Sequence, residues 1–217
     1  MELKFIIADD HPLFRGALRQ ALTQKSRKAD IVEAGDFDTV KKLILEAGDI
    51  DLLLLDLTMP GVSGLSGLVT LKAIQPALPI MIVSATDDPA TIRRALELGA
   101  SGFISKSASM ETINKAVSAV LAGDIWAPQE IDLGSEPDPE ISDLISRIRT
   151  LTPQQTRVLS MLAEGLLNKQ IAYELSVSEA TIKAHVSAVL QKLGVDSRTQ
   201  AVIRLSKIGS DSFQALS

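Results

Sequence analysis

Asp9, Asp10, Asp56, Ser84 and Lys106 are residues whose types could combine into chemistry. Three carboxylates held close together repel, and ionising all of them is costly unless they share a cation. A hard divalent ion with oxygen ligands removes that cost, and Mg2+ is the common choice where phosphate is handled. A carboxylate can also attack phosphorus and form an aspartyl phosphate. A nearby hydroxyl and ammonium would then hydrogen-bond or neutralise the transferring phosphoryl oxygens. Taken singly, each residue has an ordinary reading. Acidic residues after strands are often solvated turn formers, and a lone lysine usually sits on the surface. The case for a site rests on where the chain places all five.

Short apolar runs at residues 3–8, 51–56 and 78–84 read as strands buried on both faces, which implies a parallel sheet. Residues 31–34 and 102–105 are weaker strands of the same kind. Helical patterns separate them. Residues 12–24 place Leu13, Ala17, Leu18 and Leu22 on one face. Asp38 is positioned to cap a helix carrying Val40, Leu43 and Ile44. Asp88-Pro89 opens another helix that Gly99 stops, and Ser109 opens one that Gly123 ends. Five strands alternating with helices predict a doubly wound α/β sheet with right-handed crossovers. Each of the five candidate residues lies at the C-terminal end of a predicted strand, and those ends share one crevice.

The chain has 217 residues, of which 46% are apolar and 23% charged, a globular mix. It has no cysteine, which excludes disulfides, zinc-thiolate sites, iron–sulfur clusters and thiol nucleophiles. There is no apolar run of membrane-spanning length and no signal-peptide pattern at the N-terminus, so a cytoplasmic protein with no membrane partner is expected. The net charge is −5 and uneven: residues 151–217 hold seven basic against five acidic residues. Only this last third favours a polyanion, and only modestly.

Pro128, Gly134, Pro137 and Pro139 break the pattern amid acidic residues. We therefore expect a first domain over 1–123, a linker with a short connecting helix over 124–147, and a small all-α domain over 148–210. Ile141, Leu144, Ile145 and Ile148 carry the connecting helix. Thr152-Pro153, Ser178 and Ser197 are helix starts, and Gly165 and Gly194 are stops. Residues 168–193 read as a short helix, a turn and a longer helix. Trp126 is expected to cover the base of the first domain, and His185 to pack or lie beside a phosphate.

Residues 1–125 resemble a response-regulator receiver (CheY-like) domain. The resemblance is carried by Ile-Ile-Ala-Asp9-Asp10-His-Pro, Leu-Leu-Leu-Asp56-Leu-Thr-Met-Pro-Gly, Ile-Val-Ser84-Ala and Gly-Phe103-Ile-Ser-Lys106. It implies that a partner histidine kinase supplies a phosphoryl group and that Asp56 accepts it. It further implies that Asp10 ligates Mg2+ with Asp9 assisting, and that Asp56 and the backbone carbonyl of Thr58 complete the metal set. Lys106 would contact the phosphoryl group, Ser84 would move to it, and Phe103 would rotate inward behind Ser84. Phe103 also reads simply as a core aromatic of the fifth strand. Ser107 follows the lysine where proline is usual, which leaves the isomer of the Lys106–Ser107 bond open.

Residues 151–205 resemble the LuxR-type helix-turn-helix of the NarL/FixJ response regulators. The matching stretches run from Leu151-Thr-Pro through Asn168-Lys-Gln-Ile-Ala172 and Thr181-Ile-Lys183-Ala-His185-Val to Ser197-Arg198-Thr-Gln-Ala201. The resemblance implies that the longer helix enters the major groove of double-stranded DNA, with Lys183, Ala184 and Ser187 near base edges. Thr181, Lys169, Lys192 and Arg198 are then candidates for phosphate contact. Gln154-Gln155-Thr156 occupies a stretch where the family usually carries a Glu, and Ser187 falls where a basic residue is common. The small positive charge of one module argues for two copies on a two-fold site, hence a homodimer on activation.

These readings converge on a phosphorylation-controlled transcription regulator that is not an enzyme beyond its own phosphoryl transfer and loss. Three alternatives stand beside it: an unphosphorylated receiver scaffold, an adaptor for protein, and an aspartyl-phosphate phosphohydrolase. The last normally carries a second carboxylate two residues after the nucleophile, where this chain has Thr58.

Overall fold

The architecture described here is that of a computed structural model, covering residues 3–25, 29–46, 49–62, 64–128 and 139–210. The strands are β1 (Lys4–Ala8), β2 (Asp30–Ala34), β3 (Leu52–Asp56), β4 (Ile80–Ser84) and β5 (Gly102–Ser105). They form one parallel sheet in the order β2-β1-β3-β4-β5. Successive side chains point to opposite faces, so each strand feeds two cores. Phe5, Ile7, Leu52, Leu54, Met81, Val83 and Ile104 pack with α1 (Pro12–Lys25) and α5 (Met110–Leu121). Ile6, Leu53, Leu55, Ile80, Ile82 and Phe103 face the other way, toward α2 (Phe37–Glu46), α3 (Ser66–Ile74) and α4 (Pro89–Glu97). This double burial is why the strands read as unbroken apolar runs.

Helix ends follow local chemistry closely. Asp88, Ser109, Thr152 and Ser178 accept hydrogen bonds from backbone N–H groups three residues on, as their spacing predicts. Gly99, Gly123, Gly165 and Gly194 sit at positive φ just past helix ends. Two expectations need correction. The cap of α2 is Asp36, which accepts from the Thr39 N–H at 2.8 Å; Asp38 lies one turn-position inside the helix. The helix starts early because Phe37, 2% exposed, is drawn into the core. Leu13 is 92% exposed, and Phe14 packs inward in its place. Trp126 runs along the free edge of β5, where its carbonyl accepts from the Phe103 N–H at 2.9 Å.

The helical half begins with α6 (Pro139–Arg149) and continues through α7 (Pro153–Ala163), α8 (Asn168–Glu174), α9 (Glu179–Leu193) and α10 (Arg198–Ser210). Residues 129–138, the middle of the expected linker, lie outside the described residues. Ile141, Leu144, Ile145 and Ile148 are all buried, and α6 packs on α9 and α10, so the connecting helix shares the core of the helical half. Val158, Leu162, Ile171, Ala172 and Ile182 hold α7, α8 and α9 together. Ser176, at φ 53°, makes the turn between α8 and α9.

The two halves pack against each other through α3 and α7. Thr70 and Ser160 hydrogen-bond across this seam at 2.7 Å, and Lys41 meets Glu164 at 3.3 Å. The Arg149 guanidinium donates to the Glu97 carbonyl at the end of α4. A cavity of about 230 Å³ lies in the seam, lined in part by Phe37, Gly61, Val62, Leu159 and Leu205. Among the described residues, no helix is long and apolar enough to cross a membrane.

Candidate functional site

Parallel pairing brings the strand ends level. β1 and β3 end in Ala8–Asp9 and Asp56, the Lys106 N–H donates to the Ser84 carbonyl at 2.7 Å, and the Asp9 N–H donates to the Ala34 carbonyl. The consequence is one pocket at the C-terminal edge of the sheet. Asp9 and Asp56 are each only 1% exposed. The Lys106 ammonium lies between them, 2.7 Å from Asp9 Oδ2 and 2.9 Å from Asp56 Oδ2. Burial pulls the lysine pKa down, but hydrogen bonds to Asp9 and Asp56 and their charges outweigh it, so it lies above the ordinary lysine value. The Phe14 ring face, 5.2 Å from the ammonium, adds a cation–π contact.

Asp56 is oriented by Thr58. The Thr58 N–H donates to Asp56 Oδ1 at 3.3 Å, and the Thr58 hydroxyl lies 3.1 Å from both Asp56 oxygens. Ser84 is 1% exposed and its Oγ accepts from the Thr86 N–H. Phe103 is fully buried and pairs with Ile82, two register positions before Ser84. No peptide bond among the described residues is cis, so the Lys106–Ser107 bond is trans. The structure therefore brings Asp9, Asp56, Thr58 and Lys106 into direct contact and sets Ser84 at the same edge.

The residues also fit a divalent cation. Asp9 Oδ2 is met by the Lys106 ammonium and Asp10 Oδ1 by the His11 imidazole, and each carboxylate oxygen keeps a further lone pair that an ion can use. Ligand atoms of Asp9, Asp10, His11 and Asp56 all lie within 4.8 Å of one another. Oxygen donors at this density suit a hard ion such as Mg2+. His11 is the member of this group that sequence reasoning passed over, although it directly follows the paired aspartates.

In the helical half, Lys169, Thr181, Lys183, Ala184 and Ser187 are all exposed on α8 and α9. Lys183 pairs with Glu179 one turn earlier at 3.2 Å, an exposed contact that DNA could readily replace. Lys192 and Arg198 are differently employed. Lys192 donates to the Thr150 carbonyl and to Gln155 Oε1 at 2.9 Å. Gln155 Oε1 also accepts from the Thr152 N–H, so a neutral amide serves both the capping box and the lysine. Arg198 donates to the carbonyls of Leu162, in the last turn of α7, and Leu166, in the loop that follows. Both cations thus brace the module in this structure.

Comparison with known proteins now decides the family. Residues 5–118 match the response regulator receiver domain, and residues 149–205 match the bacterial regulatory proteins of the luxR family. The chain is a response regulator. It is 39% identical to the glycerol metabolism activator of Pseudomonas putida, over 94% of this chain and 96% of that protein. It is 34% identical to the nitrate/nitrite response regulator protein NarP of Escherichia coli K12, over 91% and 92% of the two chains. A solved structure of RcsB from Salmonella enterica serovar Typhimurium, bound to promoter P1flhDC with phosphomimetic BeF3-, is similar over 96% of this chain and all of that one. Its TM-score is 0.57 at 28% identity. The response regulator thus pairs a receiver with a DNA-binding LuxR-type output module that regulates transcription.

Proposed function

We propose that this response regulator accepts a phosphoryl group on Asp56 from a histidine kinase and then binds operator DNA as a dimer. The observation that carries the proposal is the Lys106 ammonium bridging Asp9 and Asp56 at the sheet edge. An Asp56 carboxylate oxygen attacks phosphorus, the P–N bond to the donor imidazole breaks, and the departing imidazole takes up a proton. Thr58 holds the carboxylate in place, and Lys106 balances charge on the transferring phosphoryl oxygens. Mg2+ held by Asp9, Asp10, Asp56 and the Thr58 carbonyl would supply further neutralisation of those oxygens. Ser84 would then turn its hydroxyl to the phosphoryl group, with Phe103 packed inward behind it.

The segment from Thr58 to Val62 leads from Asp56 directly to the seam with α7, since Gly61 and Val62 line its cavity. A change at Asp56 therefore has a short physical route to the output half. The DNA-facing side of α8 and α9 is already open, with Thr181, Lys183, Ala184 and Ser187 exposed. This supports dimerisation as the gated step, in preference to release of a hidden recognition helix. Lys183, Ala184 and Ser187 would read base edges, and Lys169 and Thr181 would contact phosphate. Lys192 and Arg198 would reach phosphate only by giving up their bonds within the module. RcsB has been solved as two dimers bound to DNA, which lends further support.

The test treats wild type and Asp56→Ala with Mg2+ and a small phosphodonor, then reads Asp56 modification by mass spectrometry and mass by light scattering. Selection of genomic DNA fragments with and without beryllofluoride follows. Modification, dimerisation and enriched binding in wild type alone are expected. Equal dimerisation of both proteins would refute the coupling, and no modification of Asp56 would favour the scaffold reading.

A further inference from the structure

We propose that His11 is a nitrogen ligand of the cation site and tilts it toward Mn2+ over Mg2+; this rests on the reading of the acidic pocket as a divalent cation site. His11 ends the β1–α1 turn. Its N–H donates to Asp9 Oδ1 at 2.8 Å, and its carbonyl accepts from the Phe14 and Arg15 N–H groups at the start of α1. Those bonds fix the backbone, and Pro12 restricts it further. The imidazole is thereby held over the carboxylates although it is 65% exposed. Its Nδ1 lies 3.2 Å from Asp9 Oδ1 and 2.5 Å from Asp10 Oδ1.

These spacings are those of a coordination shell. Donors about 2.1 Å from an octahedral ion are about 3 Å apart when adjacent and about 4.2 Å apart when opposite. The 3.2 Å separation is close to the first distance, the 2.5 Å one is a direct contact that must open by about half an ångström, and no two ligand atoms of the group are more than 4.8 Å apart. A small readjustment of these side chains, opening the His11–Asp10 contact and drawing the others in, places all four residues around one ion. Mg2+ prefers oxygen donors and retains water, whereas imidazole nitrogen favours first-row transition ions, so a histidine here shifts the preference.

The chain contains only two histidines, His11 and His185, and His185 lies on α9 in the other half. This makes nitrogen ligation assignable. Mn2+ is titrated into the full-length protein at pH 8 and followed by the loss of its free-ion EPR signal. Mg2+ affinity is read by competition, and pulsed EPR of the bound Mn2+ detects nitrogen coupling. Wild type and His185→Ala should show the coupling. His11→Ala should lose it, and its Mn2+-over-Mg2+ preference should fall about tenfold. Mn2+ bound without nitrogen coupling, at an unchanged preference in His11→Ala, overturns the role of His11 while leaving the cation site intact. Equal weakening of both metals in His11→Ala overturns it as well, because it marks a structural effect. No binding of either ion to wild type overturns the cation site itself.

Discussion

Replacing Lys106 with methionine isolates the electrostatics of the pocket. The side chain keeps its length but leaves Asp9 and Asp56, each 1% exposed, with no ammonium between them. A single pair at about 2.8 Å is worth about 6 kcal/mol at an effective permittivity of 20, before desolvation is subtracted. Net losses on breaking a buried pair run at about 3–5 kcal/mol. The ammonium is 15% exposed and retains some water, so we expect a loss of about 3 kcal/mol at pH 7 without metal. The Lys106 pKa is raised in the folded state. Its contribution is therefore fully present below the ordinary lysine value and is lost only as pH rises through the folded value. Two controls give the prediction its edge. The destabilisation should shrink as pH rises through the folded lysine value, where wild type loses its ammonium as well, and on adding Mg2+, which takes over the missing charge. Urea unfolding followed by Trp126 fluorescence reads this directly. Trp126 is the single tryptophan and packs against the core of the α/β half. A Lys106→Met protein as stable as wild type at pH 7, or a loss indifferent to both pH and Mg2+, would refute the reasoning.

Four further outcomes follow from particular contacts. Asp36→Ala removes the cap of α2 and should cost about 1 kcal/mol in the same urea assay, while Asp38→Ala should cost less. Arg198→Ala should destabilise the helical half by about 1–2 kcal/mol, read by far-UV CD melting, because it strips the Leu162 and Leu166 carbonyls of their donor. If Arg198 acts in this bracing role, the salt dependence of DNA binding should stay as in wild type once the protein is folded. Lys183→Ala should weaken operator binding by about 1–3 kcal/mol and relax base preference in a selection experiment, with little effect on melting. Lys41→Ala breaks an exposed ion pair across the seam and should cost under about 1 kcal/mol, whereas Leu159→Asp buries a charge there and should separate the halves in small-angle scattering.

Much of this molecule could be read one residue at a time. Buried parallel strands announce themselves as unbroken apolar runs, and their ends name the pocket: Asp9, Asp56, Ser84 and Lys106 follow from strand position alone. Helix starts at Asp88, Ser109, Thr152 and Ser178 were equally legible, because a cap is a local bond over three residues. The α3 helix was not. Gly67, Leu68, Val69, Thr70 and Leu71 are consecutive buried residues, Leu65 offers no side-chain cap, and no apolar stripe marks one face. The reason is tertiary: the sheet covers one side of α3 and α7 covers another, so a two-sided contact erases the helical period. The same applies to charge. Nothing local distinguishes Lys183, exposed and paired with Glu179 one turn away, from Lys192 and Arg198, whose bonding groups are used by carbonyls 32 to 42 residues away. His11 likewise became visible only when the turn into α1 set its imidazole over the carboxylates. Sequence determined which residues could form an acidic pocket at the sheet edge and a helix-turn-helix, because those depend on short-range pattern. Which cations brace the helical module, which helix joins the halves and which surface stays open were decided by packing between segments far apart in the chain.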